Sequence, residues 1–369
     1  MRVVLLGRAD GVHLQRWAEA LASRGIDLTI VTQHRPHGWL PPPGVEMHVL
    51  RFRGGFGYFA NALRLRRILG TVRPELLNVH YASGYGTMAA IAGYRPTVLS
   101  VYGSDVFDFP DRSPVAARLI RWNLGRAQRI ASTSHVMAAQ VRRLLPQVGT
   151  IDITPFGVDS GRFRPEPGGR SEDDVTIGTV KVLAAKYGID VLIRAFARLT
   201  GDEELLATIG PRRLRLVLVG DGPQRTALER LAADLGVADR TRFVGRVSHD
   251  EVPTWLNGFD VFVAASRLDS ESFGVAVIEA SSCELPVVVS DAGGLPEVVR
   301  DGITGIVVPR ENVDALTEAL RRLVLDADQR SAMGAAGRTF VRQEFEWDSC
   351  VDRMLACYAS TIEDAARRS

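Results

Sequence analysis

The chain has 369 residues, 46% of them hydrophobic and 24% charged, with a formal net charge of +2. This length suits two α/β domains, and the balance of residue types is that of a globular enzyme with a sizeable core. No run approaches the roughly 18 apolar residues of a membrane-spanning helix, and the three cysteines (Cys283, Cys350, Cys357) give neither a disulfide framework nor C-x-x-C spacing, which points to a reducing cytoplasm.

In chain order, "RVVLLG" (2–7) is too short for the apolar core of a signal peptide and reads as a first β-strand. An amphipathic helix follows at 13–25 and closes at Gly25, a natural stop because glycine adopts the left-handed conformation that ends helices. Short apolar runs at 26–32, 45–50, 76–80, 97–102 and 129–133 read as further strands, with helical patterns between them. The Pro- and Gly-rich stretch 155–168 breaks the rhythm and predicts a linker. The alternation restarts with strands at 174–180, 215–220, 241–245, 260–266, 286–290 and 305–309, and 311–369 is helical throughout. Two doubly wound α/β domains follow, 1–160 and 161–345, with a last helix 346–369 able to pack back on the first. In such sheets ligands lie beyond the carboxyl ends of the strands, which predicts a site in the cleft between the domains.

Charge is unevenly shared along this chain. Residues 1–160 hold 19 arginines and 10 acids, whereas 161–369 hold 26 basic and 33 acidic residues. A basic first half suits an anionic partner or membrane surface; a chance distribution in an arginine-rich chain reads equally well. The stretch 51–73 carries six arginines and no acid, interleaved with Phe, Tyr, Leu and Ile. It reads either as an ordinary helix with an arginine face or as a surface for an anionic membrane or a lipid diphosphate. Nucleic acid is not an expected partner.

The only lysines are Lys181 and Lys186, directly after the first strand of the second half. Surface cations are otherwise all arginine, so these two ammonium groups point to a chemical role, that of stabilising the charge that grows on a diphosphate as it leaves a sugar. A second candidate lies at 264–299, where a strand ends near Ser266 and a helix opens at Gly274. The amides of Phe273, Gly274 and Val275 offer a phosphate seat backed by the positive end of the helix dipole. Glu271 and Glu279 flank that seat, and carboxylates there suit hydroxyl groups, of a sugar and a ribose, better than phosphate. A third loop, "VGDGPQRTAL" (219–228), contains Gly220 and Gly222 but has Arg225 in place of the last glycine of a G-x-G-x-x-G fingerprint, so a nicotinamide dehydrogenase is poorly supported. No P-loop and no divalent-metal motif is present, and no cofactor is expected.

Taken together these pieces resemble the retaining glycosyltransferases of family four, with the GT-B architecture of two facing Rossmann-like domains. The carrying motif is E-x7-E, here Glu271 to Glu279 in "ESFGVAVIE", with "PVVVSDAGGLPEVVRDGITGIVVP" (286–309), "VGDGP" (219–223), "FVGRV" (243–247), "KYGIDVLIRAF" (186–196), "SVYGSDVF" (100–107) and "FGVD" (156–159) around it. The resemblance implies a metal-independent hexosyl- or N-acetylhexosaminyl-transferase that retains anomeric configuration and uses a nucleotide-sugar, a UDP-sugar first among them, as substrate. The hydroxyl acceptor would be a polysaccharide, glycolipid or natural-product precursor bound by the first domain. By position, Lys186 would hold the diphosphate, aided by Lys181, which stands where many relatives have arginine. Glu279 would hold the ribose, Glu271 the donor sugar, and the backbone at Arg246 and Val247 the base. Gly11 and Gly220 would approach the donor through their backbones, and Asp105 would contact sugar or acceptor. Tyr102 occupies the place of a common histidine. Tyr102, His80 and His135 are the acceptor-site candidates. A sugar-nucleotide 2-epimerase or a non-catalytic sugar-nucleotide-binding protein shares enough of the pattern to stand as an alternative. The expected location is cytoplasmic, extending to the inner face of the cell membrane.

Overall fold

Apolar runs bounded by turn residues become buried parallel strands, each followed by a helix that carries the chain back. The computed structural model describes residues 1–367. The chain divides into two units, Met1–Pro155 with the segment from Ser349 onward, and Phe156–Asp348.

The first unit runs β1 (Arg2–Leu6), α1 (Val12–Ser23), β2 (Asp27–Thr32), β3 (Glu46–Val49), α2 (Gly54–Ala60), α3 (Ala62–Val72), β4 (Leu76–His80), α4 (Gly84–Ala92), β5 (Thr97–Val101), α5 (Pro114–Arg126), β6 (Arg129–Ser132), α6 (His135–Leu144) and β7 (Thr150–Ile153). Its seven strands pair in parallel in the order β3-β2-β1-β4-β5-β6-β7. β7 went unread in the sequence, because "TIDI" is brief and only half-buried. Ser113 and Ser134 start α5 and α6 by accepting the Ala116 and Met137 amides, which satisfies donors a helix start otherwise leaves open.

The second unit runs β8 (Asp174–Val180), α7 (Ile189–Thr200), α8 (Glu203–Ile209), β9 (Arg213–Val219), α9 (Arg225–Asp234), β10 (Thr241–Gly245), α10 (Val252–Asn257), β11 (Val261–Ala264), α11 (Val275–Ser282), β12 (Val287–Ser290), β13 (Gly305–Val308), α12 (Val313–Leu325) and α13 (Ala327–Glu344). The sheet order is β10-β9-β8-β11-β12-β13, again all parallel. Helix α7 shows why the pattern folds as it does. Ile189, Val191, Leu192, Ile193, Ala195, Phe196 and Leu199 are buried against Val175, Ile177, Leu214, Leu216 and Leu218 of the sheet. Full burial of each such side chain contributes about 1.5–3 kcal/mol, and Phe196→Ala would cost roughly 3–5 kcal/mol.

The last helix, α14 (Trp347–Ala366), belongs from Ser349 to the first unit. Tyr358 is buried there, and its hydroxyl donates to Asn78 Oδ1 on β4 at 2.8 Å. The Asn78 amide donates in turn to Ser100 Oγ on β5 at 2.9 Å. Arg129 bridges Asp152 and Asp364 at 2.8 and 2.6 Å. Cys350 and Cys357 share the buried face, as their seven-residue spacing implies. No described helix is long and apolar enough to cross a membrane.

Candidate functional site

In each sheet the strand order reverses beside the first strand, and a crevice opens there beyond the carboxyl ends. In the second unit that point lies between β8 and β11. Lys181 follows β8, and the loop from Ser266 to Gly274 follows β11. Strand order therefore brings together two segments ninety residues apart, and Lys181 Nζ lies 2.9 Å from Glu271 Oε1, with the side chains 19% and 10% exposed. Burial opposes the ammonium charge, but the Glu271 carboxylate outweighs it and holds the Lys181 pKa above the ordinary lysine value.

The backbone around this pair is held by glycines. Gly220, at φ +135°, passes so close beneath the Lys181 carbonyl that a Cβ would overlap it, while the Lys181 amide donates to Val219 O at 2.9 Å. The structure thus gives Gly220 a seating role under Lys181, and Gly222 does the same against Leu183. Gly293, at φ +53°, packs against the Glu271 carbonyl, and the next amide, Gly294 N–H, donates to that oxygen at 2.9 Å.

Lys186 lies on a single 3-10 turn, Ala185–Tyr187. Its carbonyl accepts the Arg267 amide at 2.8 Å, and the Arg267 guanidinium is fixed by Asp190 at 2.6 Å and Glu311 at 3.1 Å. The Tyr187 ring gathers both ammonium groups, with Lys181 Nζ 4.7 Å and Lys186 Nζ 4.8 Å from its centroid; ring faces attract cations by about 0.5–2 kcal/mol. Among the described residues Lys186 Nζ has no carboxylate within ion-pair distance, so its charge is open to an anion.

At the start of α11, Gly274 takes φ +100° and ψ 51°, a left-handed turn that side chains rarely adopt. A Cβ there would also come within 2.8 Å of Leu295. The Val277 and Ile278 amides of the first turn of α11 donate to Gly274 O at 2.9 and 3.3 Å, which leaves the Val275 and Ala276 amides without an acceptor inside the helix, at its positive dipole end. Phe273 turns its ring inward against Phe156 and Phe345, at 5.9 and 5.5 Å, leaving its backbone to form the turn. Glu279, further along α11, is 7% exposed and meets His249 Nε2 at 2.9 Å. His249 in turn packs on Phe163 at 5.5 Å. Arg246, exposed, and Val247, half-buried, form the loop after β10. The second unit therefore assembles two lysines, a helix start and two carboxylates at the carboxyl end of one sheet: cations and amides that can meet an anion, and carboxylates that can accept from hydroxyl groups.

Tyr187, His249 and Arg267 went unread in the sequence. Tyr187 stands beside Lys186, and that adjacency was a usable signal. His249 lies thirty residues from Glu279 with no spacing to link them.

The first-unit candidates are placed differently. Asp105 is 1% exposed; its Oδ2 accepts the Ala82 amide at 2.7 Å, and its Oδ1 accepts those of Tyr102 and Gly103 at 3.1 and 2.9 Å. This carboxylate joins the loops after β4 and β5. Burial raises its pKa while the three amides oppose that rise. His80 is 3% exposed and shares a hydrogen bond between Nδ1 and the Tyr102 hydroxyl. Burial, with His13 nearby, lowers its pKa to about 3, so it is a neutral, enclosed imidazole. Tyr102 stacks with Tyr81, His80 and His13 at 5.1, 5.6 and 5.9 Å. His135 is exposed at the first position of α6. Gly11 caps α1 with ordinary extended dihedrals. Among the described residues no cluster of three or more His, Cys, Asp or Glu has the geometry to hold a metal ion.

Comparison with known proteins follows the same division of the chain. The family model described as "Glycosyl transferases group 1" matches residues 162–340, and that described as "Glycosyl transferase 4-like" matches residues 2–134. The chain is 31% identical to a GDP-mannose-dependent alpha-(1-6)-phosphatidylinositol monomannoside mannosyltransferase of Mycobacterium tuberculosis, across 83% of this chain and 80% of that one. It is 32% identical to a D-inositol 3-phosphate glycosyltransferase of Salinispora tropica, across 98% and 83%. Among solved structures, sucrose-phosphate synthase from Thermosynechococcus elongatus matches with a TM-score of 0.85 at 21% identity, covering 98% of each chain. Anabaena HepE, in complex with UDP and glucose, matches at 0.80 and 17%, covering 98% of this chain and 100% of that one. The structural likenesses establish the GT-B fold expected from the sequence.

Proposed function

We propose that this chain, which belongs to the group 1, family 4-like glycosyl transferases and is a glycosyltransferase of the GT-B fold, moves a hexose from a nucleoside-diphosphate sugar to a hydroxyl acceptor with retention at the anomeric carbon. The observation that carries this reading is the lysine pair. Lys181 is held against Glu271, and Lys186 is left open on Tyr187, both in the unit that starts α11. In the proposed step the bond from the anomeric carbon to the diphosphate oxygen breaks, and its electron pair stays on the phosphate. The acceptor oxygen bonds to the same face of the sugar, and its proton passes to the departing phosphate. Lys181, Lys186 and the α11 amides stabilise the charge that develops there. Glu271 would orient sugar hydroxyls and Glu279, held by His249, the ribose. No metal takes part in this scheme.

The uridine expected from the sequence is one choice of base; relatives named as GDP-mannose-dependent favour GDP-mannose as the first donor to test. Their names also favour an acceptor bearing an inositol phosphate. Titration calorimetry with GDP, UDP, ADP and dTDP tests the donor site. One nucleotide should bind, and Lys186→Ala should weaken it strongly and slow transfer by roughly 10²–10³-fold, the loss seen when one donor to a developing anion is removed. Binding of none, or unchanged binding by the variant, would overturn the reading. Donor conversion without any acceptor would identify an epimerase instead.

The first unit would take the acceptor at an anionic membrane. Phe52, Phe56, Phe59 and Leu63 on and before α2 and α3 are 42%, 73%, 52% and 68% exposed, beside exposed Arg51, Arg53, Arg64, Arg66 and Arg67. Such a surface joins apolar insertion to electrostatic attraction. Sedimentation with vesicles containing phosphatidylserine should carry the protein down at low salt, and Phe56→Ser with Phe59→Ser should reduce this; failure to sediment would sink the membrane proposal.

A further inference from the structure

The sheet of the second unit is covered on one face only in part. On its apolar face Leu214, Leu216 and Leu218 enter the core. On the other face β9 presents Arg213, Arg215 and Val217. Parallel sheets ordinarily bury both faces, but α10 has only six residues and ends before it covers β9 and β10. The uncovered part forms a recess of about 470 Å³, lined among others by Thr176, Arg215, Arg240, Arg242 and Trp255. Thr176 precedes Lys181 by five residues along an extended strand, roughly 16 Å, so the recess is separate from the lysine site.

Its charges are not balanced from within. Asp174 is taken by Arg213 at 2.9 Å and approached by Arg215 at 3.7 Å, and Arg215 also donates to the Asp239 carbonyl at 3.0 Å. The Arg242 guanidinium lies 4.9 Å over the Trp255 ring. Among the described residues neither Arg240 nor Arg242 has a carboxylate within ion-pair distance. Asp239 is the other acid of the lining, which also holds the three arginines Arg215, Arg240 and Arg242. The recess therefore joins a flat cationic stack to further fork-shaped donors that suit phosphate oxygens, and its volume is that of a small-molecule site.

We propose that this recess binds a nucleotide at a place distinct from the donor site, with the base on the Arg242–Trp255 stack and the phosphate on Arg240 and Arg215. Aromatic and guanidinium planes both accept bases. The proposal stands whether or not the lysine site binds a sugar donor.

Adenosine 5′-monophosphate is a suitable probe, with adenosine and ribose 5-phosphate as its two halves. Calorimetry should show binding to wild type and to Lys186→Ala alike, weakened at least about tenfold when Arg240→Gln and Arg242→Gln are combined. Each half should bind more weakly than the whole. Thermal melting reports whether the double variant folds; independently, the probe should change tryptophan fluorescence in wild type and not in Trp255→Phe. Absence of binding to wild type at millimolar probe would overturn the proposal. So would binding that survives the double variant, or binding lost in Lys186→Ala, which would assign the probe to the lysine site. Ribose 5-phosphate binding as tightly as the whole would overturn the role of the stack.

Discussion

Lys181 and Glu271 neutralise each other at 2.9 Å in a largely buried setting, so a diphosphate reaching Lys181 competes with a resident carboxylate. Glu271→Gln removes that competitor. Nucleoside diphosphate affinity should then rise roughly fivefold, about 1 kcal/mol, while sugar transfer falls if Glu271 orients the sugar as proposed. Calorimetry beside a transfer assay would show the two moving in opposite directions; weaker nucleotide binding would mean that Glu271 supports the seat instead of competing for it. His80 gives a different signature. Its folded pKa lies near 3, against 6.5 for the free side chain, so the unfolded chain binds a proton that the folded chain refuses. The stability this contributes is complete above about pH 6.5 and is lost as pH falls toward 3, with a slope of up to about 1.4 kcal/mol per pH unit. Urea unfolding of wild type should weaken more steeply than that of His80→Asn between about pH 6 and 4. Equal slopes would show that His80 takes up its proton in the folded chain.

At the scale of elements, the site depends on loops that glycine allows to touch. Gly293 combines φ +53° with contact to the Glu271 carbonyl, and its amide donates to Asp269 Oδ1 at 3.1 Å, a carboxylate also held by Arg310 at 2.8 Å. Gly293→Ala adds a left-handed penalty and a clash against backbone, neither of which a side-chain rotation relieves. A loss of about 1–3 kcal/mol in stability is expected, with donor affinity falling as Glu271 is displaced. A variant of full stability and full affinity would show that this loop yields freely. The four glycines at 220, 222, 293 and 294 let the Lys181 and Glu271 loops approach others closely.

At the scale of the molecule, the chain returns to its first unit through α14. The buried Tyr358–Asn78–Ser100 relay spans 280 residues in its first link, so the sheet that opens the chain is completed by residues that close it. The basic excess of residues 1–160 gathers in part just before α2, at Arg51 and Arg53, and on α3, at Arg64, Arg66 and Arg67, whereas many arginines of the second unit are committed to carboxylates, as Arg267, Arg310 and Arg321 are. Arg240 and Arg242 depart from that habit, which is what sets the recess beside β10 apart.

Local pattern was enough for a great deal: the alternation of strand and helix, the doubly wound class and the singling out of Lys181, Lys186, Glu271 and Glu279 as candidates, with the family following from the resemblance its motifs carry. These were legible because strand burial, helix periodicity and the contrast of two lysines with an arginine-rich chain are properties of short segments. Tertiary structure decided which of these residues meet. Lys181 pairs with Glu271 because β8 and β11 are neighbours at the point where strand order reverses, and Glu279 meets His249 because the loop after β10 reaches α11. It also enclosed Asp105 and His80, the one expected at sugar or acceptor and the other an acceptor-site candidate. Neighbourhood and burial are set by sheet order and by what packs overhead, and neither is written in the spacing of residues along the chain.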